Sequence, residues 1–278
     1  INVVLNLLFV ITFRMDVAGV AAATVISQCI SAFLIIRCMM KEQSDIRLEL
    51  SALHIYPDKF RRILQIGLPA SFQGIVFSFS NVIIQSSVNS FGAVPVAGNS
   101  AAANLEGFVY VSMNAFHQAA ISFTSQNVGA AKYERVNRIL YTAQACVITV
   151  GVVFGNLAVL CGYPLLGMYT SSSAVMEAGM KRLAVICRYY ALCGMMDVIV
   201  GSLRGLGYAM MPMIVSLIGA CGLRLVWIFT FFRMESFHTT TSLYMTYPVS
   251  WIVTFLAHVV CFIIVRRKLE RKWNCLKA

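Results

Sequence analysis

Charge is what this chain has least of. Asp, Glu, Lys and Arg together make up 12% of its 278 residues, where a soluble domain carries about 25%. A surface facing water cannot be covered with so few charges, which excludes an ordinary soluble globular protein. Chemical motifs are missing as well. There is no GxxxxGK[ST] loop, so the phosphate cradle that ATP hydrolysis requires is absent. Neither HExxH, nor zinc-ligand spacing, nor a GxSxG elbow occurs, which argues against a metallohydrolase or serine hydrolase and against an enzyme in general. The nine cysteines form no CxxC pair, and most fall inside apolar segments (Cys29, Cys146, Cys187, Cys193, Cys221 and Cys261), where they read as small packing residues rather than a disulfide framework. No charged leader or cleavage site precedes the first apolar segment, so it is not a signal peptide. Its shortness, and Ile1 in place of Met, lead us to expect a chain whose beginning is missing.

What the chain does have suits a lipid bilayer. It is 59% hydrophobic, with a mean hydropathy of +0.77. Apolar runs long enough to cross a membrane, about 20 residues each, recur along its length. We expect roughly eight helical spans: a short one at Ile1–Phe13, then Val17–Cys38, Ile63–Phe91, Val94–Gln126, Ile139–Gly162, Val175–Leu203, Tyr208–Phe232 and Leu243–Val265. Open strands would leave backbone groups unpaired in hydrocarbon, and the alternation of a membrane barrel is absent, so the class is an all-α polytopic membrane protein. Basic residues are divided unequally between alternate loops. Sixteen lie on one side, among them Arg37, Lys59, Lys132, Arg138, Arg204 and Arg266, against Arg14, Lys181, Arg182 and Arg233 on the other. The richer side, including the C-terminus, is expected in the cytoplasm. This asymmetry accounts for the net charge of +11 without nucleic acid as a partner.

The one long polar stretch, Lys41–Arg62, separates two helices from six. A short echo links the two groups: ITFRMD at Ile11–Asp16 and TFFRME at Thr230–Glu235 each end a helix on the outer side. The match arises by chance or marks helices one and two as equivalents of helices seven and eight. In the second case the chain derives from two six-helix lobes, an arrangement with its binding site between repeats.

Longer stretches carry a resemblance. Ile66–Gly92 reads IGLPASFQGIVFSFSNVIIQSSVNSFG, and Val96–Leu140 reads VAGNSAAANLEGFVYVSMNAFHQAAISFTSQNVGAAKYERVNRIL. LRGLG follows at Leu203–Gly207, then Pro212 and RLVW at Arg224–Trp227, while LNLLF and VAGVAAATVISQ lie near the start. In this order the chain resembles the multidrug and toxic compound extrusion (MATE) family, in its bacterial putative efflux branch. The resemblance implies a MATE-like two-lobe bundle of twelve helices, of which this chain would hold helices five to twelve. Residues 1–38 would be the last two helices of the first lobe, 39–62 the cytoplasmic linker, 63–265 the second lobe and 266–278 a basic cytoplasmic tail. It further implies a multi-pass plasma-membrane antiporter that expels small amphipathic or cationic organic compounds against protons or sodium, without a cofactor or metal. The full-length protein would be a monomer in the bilayer. A flippase for lipid-linked oligosaccharides, performed by related folds, is the alternative; alone, one lobe and a third of another would not close a cleft.

Ionisable groups inside spans cost roughly 2.5 kcal/mol or more, so each is a functional candidate. There are four: Glu106, Arg188, Asp197 and Arg224. From the helical rise, Glu106, Arg188 and Arg224 lie about 16, 18 and 12 Å below the outer surface and could meet. Glu106 is therefore either a group that responds to protons or cations, or one half of a structural ion pair with Arg188 or Arg224. Tyr110 and His117 share its helix face. Asp197 shares a face with Tyr190 and Arg204, one heptad to either side. Sodium-coupled relatives carry acids about one turn earlier on this helix, near Cys193, and on the first helix of this lobe, where Ile75–Ser78 stand here; these departures weigh against sodium coupling through this lobe. Asn81, Gln85 and Asn89 form a polar stripe that either bonds between helices or lines a wet cavity, and Asn104 and Asn114 suit the same wall. Phe77, Tyr110 and Met113 offer adaptable apolar contacts for flat organic substrates.

Overall fold

The computed structural model describes residues 1–43 and 47–277, with the side chains of 270 and 272–277 excepted. Asp45 of the polar stretch and the side chains of Lys272 and Lys277 in the basic tail lie outside the described residues. The described residues hold helices and no strands. They divide into two compact units, residues 1–60 and 61–278.

The first unit is a helical pair. Helix α1 (Asn2–Leu7) runs on through one π-helical turn, Leu8–Thr12, and α2 spans Asp16–Lys41. Gly19, Ala23 and Ser27, spaced four apart, form the buried face of α2. A Cβ on Gly19 would stand 3.0 Å from that of Phe9, so only glycine permits this approach. The Asn2 amide reinforces the pair, donating to Ser27 Oγ at 3.2 Å.

The second unit is built from α3 (Pro57–Asn89, of which it holds the part from Arg61), α4 (Ala93–Gly129), α5 (Arg135–Leu160), the short α6 (Gly162–Gly167), α7 (Ser173–Ile186), α8 (Tyr190–Gly205), α9 (Met210–Ser216), α10 (Leu223–Phe229) and α11 (Thr240–Lys277). A 3₁₀ turn, Cys187–Tyr189, breaks α7 from α8, and a π-helical turn, Leu217–Gly222, joins α9 to α10. Helix α4 packs on α5, α7 and α8, while α11 closes on α7 and α8. Lipid supplies no hydrophobic drive between helices, so small residues that let backbones touch hold them together. Gly201 and Gly205 of α8 abut the α4 carbonyls of His117 and Ile121, and Gly155 of α5 abuts the Cys187 carbonyl. Gly207 acts at a bend instead of a contact, and its φ of +88° turns the chain out of α8 toward α9.

Among the described residues, six helical segments are long and apolar enough to cross a membrane: 16–41, 57–89, 135–160, 173–205, 210–233 and 240–269. This makes a multi-pass membrane protein, though with fewer qualifying spans than the eight expected. The first apolar helix, Asn2–Thr12, is too short. Helix α4 is long enough at 37 residues, but Asn99, Asn104, Glu106 and Asn114 dilute its hydropathy along its length. Neighbouring helices shelter Asn99 and Glu106, while Asn104 is exposed. Pro69 lies inside α3, which begins at Pro57, and the Gln65 carbonyl loses its usual donor there. The segment Tyr133–Arg138 leads into the first turn of α5.

The packing predicts which glycines are replaceable. A Cβ on Gly98 would meet the Gly179 nitrogen and the Val175 carbonyl, both at 2.7 Å and both backbone. Gly98→Ala should force α4 from α7 and cost about 1–3 kcal/mol, whereas Gly107→Ala, with nothing within 4 Å, should be neutral or stabilising by up to about 1 kcal/mol. Thermal unfolding of the detergent-solubilised full-length protein, followed by fluorescence, checks the pair.

Candidate functional site

The polar groups of the second unit fall into two sets. The first is linked by hydrogen bonds. Asn99 and Glu106, one heptad apart on α4, face Arg182 of α7. Arg182 Nε and Nη2 donate to the two carboxylate oxygens of Glu106, each at 2.7 Å, and Nη1 donates to Asn99 Oδ1 at 2.6 Å. Glu106 and Arg182 are 5% and 7% exposed. Asn99 Nδ2 donates in turn to Gln85 Oε1 at 2.7 Å, and Gln85 Nε2 to Asn89 Oδ1 at 3.2 Å. The guanidinium also lies over the Tyr244 and Tyr247 rings, at 5.5 and 5.7 Å. Charge, hydrogen bonds and aromatic faces are thus all matched, as an ion pair inside a membrane requires.

The second set surrounds a cavity of about 480 Å³. Gln73, Phe77 and Asn81 of α3 form one side; Tyr110, Asn114 and His117 of α4 and Tyr190, Asp197 and Arg204 of α8 form another. Arg224, Tyr247 and Trp251 complete the lining. The C-terminal end of α8 is tied to α3 where Arg204 Nη2 donates to Gln73 Oε1 at 2.8 Å. His117 Nδ1 donates to the backbone carbonyl of Asp197 at 2.6 Å, holding α4 against α8. Among the described residues the Asp197 carboxylate has no hydrogen bond or ion pair, and the Arg204 Nε is buried without a partner. No cluster of three or more metal-binding side chains exists among the described residues.

This arrangement rearranges the candidates. Glu106 pairs with Arg182, not with Arg188 or Arg224. The reason is helical phase: Arg182 shares the buried face of α7 with Gly179, Leu183 and Ile186, while Arg188 sits in the 3₁₀ turn with its side chain exposed. Its place beside Lys181 suggests an outer loop for Arg182, yet its spacing from Gly179 and Ile186 is the signal that points inward. Arg224 faces the cavity instead. The stripe on α3 divides, with Asn81 lining the cavity and Gln85 and Asn89 bonded into the ion-pair network. Asn114, Tyr110, Asp197 and Phe77 line the cavity, whereas Asn104 is exposed and away from it. Met113 is buried against Gly151 and Gly194 as a packing residue. Gln73, Tyr247 and Trp251 have no marker in the sequence beyond their residue type.

Residues 69–230 match the family model MatE. The chain belongs to the MatE family. Its members are membrane transporters, not enzymes. The chain is 29% identical to the probable multidrug resistance protein YpnP of Bacillus subtilis over 231 residues, covering 81% of the chain and 50% of that protein. It is 22% identical over 214 residues to the multidrug export protein MepA of Staphylococcus aureus, covering 74% of the chain and 46% of MepA. The chain thus spans about half the length of the curated relatives it matches. Among solved structures, an outward-facing MATE family multidrug resistance transporter superposes with a TM-score of 0.85 at 17% identity, covering 97% of the chain and 60% of that structure. The bent form of the Vibrio cholerae transporter VcmN gives 0.81 at 17%, covering 96% and 60%. These two likenesses establish the fold of this MatE chain and nothing finer.

The two polar sets should respond differently to neutralisation. Glu106→Gln strands a buried guanidinium and should cost about 3–5 kcal/mol, seen as lost monodisperse protein in detergent size-exclusion chromatography. Asp197→Asn breaks no bond among the described residues, and the same measurement should find it folded like the parent.

Proposed function

We propose that the complete protein is a secondary active exporter of the plasma membrane that expels small amphipathic organic compounds, organic cations among them. It works by alternating access in antiport with protons or sodium, as a monomer, without a cofactor or nucleic-acid partner and with its C-terminus in the cytoplasm. The cavity carries this reading: it joins aromatic faces (Phe77, Tyr110, Tyr190, Tyr247, Trp251) to amides (Gln73, Asn81, Asn114) and to one unpaired carboxylate, Asp197. Aromatic faces accept varied flat molecules, and amides orient them without demanding a single shape. The matched multidrug proteins of Bacillus subtilis and Staphylococcus aureus support export as the activity.

Coupling falls to Asp197 in this proposal, because Glu106 is committed to Arg182. A proton or sodium ion arriving at Asp197 cancels its charge and favours the cavity state in which substrate binds less well. An ion drives transport only through such differential affinity. The alternative, a flippase for lipid-linked oligosaccharides, draws on Arg204 and Arg224, the two arginines that reach the cavity.

The test uses the full-length protein in cells stripped of their own pumps. Accumulation of a fluorescent amphipathic dye should fall when the protein is present, and recover when a protonophore is added or sodium is replaced, whichever ion is coupled. Asp197→Asn should abolish that gradient response while leaving the protein in the membrane. Export that ignores both gradients would sink the antiport reading.

A further inference from the structure

Arg224 is buried in the second unit, 3% exposed, and its charge is unanswered. Of its five N–H donors only Nε has a described partner, Ser250 Oγ at 3.0 Å. No carboxylate oxygen lies within 4.0 Å of it among the described residues. Two ring faces lie beside it, Tyr247 at 4.2 Å and Trp251 at 5.9 Å from the guanidinium carbon. Arg182 is the internal comparison: nearly as buried, it is met by both oxygens of Glu106 and by Asn99. Ring faces attract a cation but leave its outward N–H groups unused.

The charges around the cavity do not cancel either. Asp197 is the one carboxylate in its lining, against Arg204 and Arg224. Asp197 and Arg204 lie one heptad apart on the same face of α8 and offset each other, leaving Arg224 in surplus. Any proton on His117, which also lines the cavity, would add to the positive side. A cavity with this balance favours a ligand that brings its own negative charge.

We infer that the cavity takes amphiphiles bearing an oxyanion (a carboxylate, sulfonate or phosphate), which docks on the free N–H edge of Arg224 while the apolar body lies along Phe77, Tyr247 and Trp251. Guanidinium presents paired N–H groups that match two oxygens of such a group, a geometry that lysine lacks. At about 480 Å³ the space is within the range of small-molecule sites, about 300–1,000 Å³. The inference rests on the export reading and extends its class of amphipathic substrates to acids. The same oxyanion chemistry arises from a free amphiphile or from the headgroup of an anionic lipid.

The experiment measures binding of two matched probes, decanesulfonate and decyltrimethylammonium, to the full-length protein in nanodiscs of phosphatidylcholine. Decanesulfonate should bind saturably and at least about tenfold more tightly than the ammonium. Arg224→Gln should lower its affinity by about tenfold or more, as expected for a lost charged hydrogen bond, and Arg224→Lys by less. Equal binding of the two probes, or an Arg224→Gln protein that binds decanesulfonate like the parent, overturns the inference. Should Arg224→Gln not fold, the preference of the parent protein between the probes and the weakening in Arg224→Lys decide it. Repeating the titration with phosphatidylglycerol in the nanodisc assigns the source: displacement of decanesulfonate supports a lipid headgroup as natural ligand, and unchanged binding a free amphiphile. Dye export is scored separately in cells, so a protein that exports dye without binding decanesulfonate refutes this inference alone. One that binds decanesulfonate but exports nothing refutes only the export reading.

Discussion

The second unit depends on one bidentate ion pair, Arg182 to Glu106, placed where the surroundings are apolar. An isolated charge there would be intolerable, and even a pair is stable only when every remaining donor and acceptor is satisfied. That condition extends the pair outward. Asn99 completes the guanidinium, Gln85 completes Asn99, and Asn89 completes Gln85, so that α3, α4 and α7 are joined by a line of hydrogen bonds. Because hydrogen bonds are directional, they fix register and rotation, which the non-directional contacts of a lipid-embedded bundle do poorly. The close approach at Gly98 and Gly179 brings α4 and α7 within reach of that pair.

The pair also separates structural charges from available ones. Once Glu106 and Arg182 have used each other, three charged groups with unused bonding capacity remain around the cavity among the described residues: the Asp197 carboxylate, the Arg204 Nε and the outward edge of Arg224. An unsatisfied buried polar group costs free energy in any fold, and it persists where a ligand, ion or water answers it. The helices around the cavity are held together at other points, by His117 against the Asp197 carbonyl and by Arg204 to Gln73. Bonded groups and charged groups with unused capacity thus share the wall of the cavity.

Much of the helical plan was legible in the sequence because a bilayer imposes a length and a composition on every span. The helices at 16–41, 135–160 and 240–269 could be read for that reason. Helix α4 met the length and failed the composition, because Asn99, Asn104, Glu106 and Asn114 are spread along it. Of the candidate residues, Tyr190, Asp197 and Arg204 could be put on one face by counting heptads along a single helix, and all three line the cavity. The partner of Glu106 could not be found by depth alone. Depth placed Arg188 and Arg224 at a suitable level, but rotation about α7 decides which arginine points inward, and Arg182 and Arg188 differ by about 120° on the wheel. Met113 shows the same limit, being apolar and suitably deep yet directed into the contact with Gly151 and Gly194.

The sequence by itself determined that the chain lives in a membrane, where its helices fall, and that its few interior charges must matter. Each of those facts depends on the cost of polarity in hydrocarbon, a property of one residue and its immediate neighbours in the chain. Only the tertiary structure decided which charges cancel. Arg182 and Glu106 are 76 residues apart, and Arg224 is left over because, among the described residues, no carboxylate from another helix meets it. Pairing depends on how separate helices rotate against one another, and that rotation is set by contacts between distant segments, which no local pattern contains.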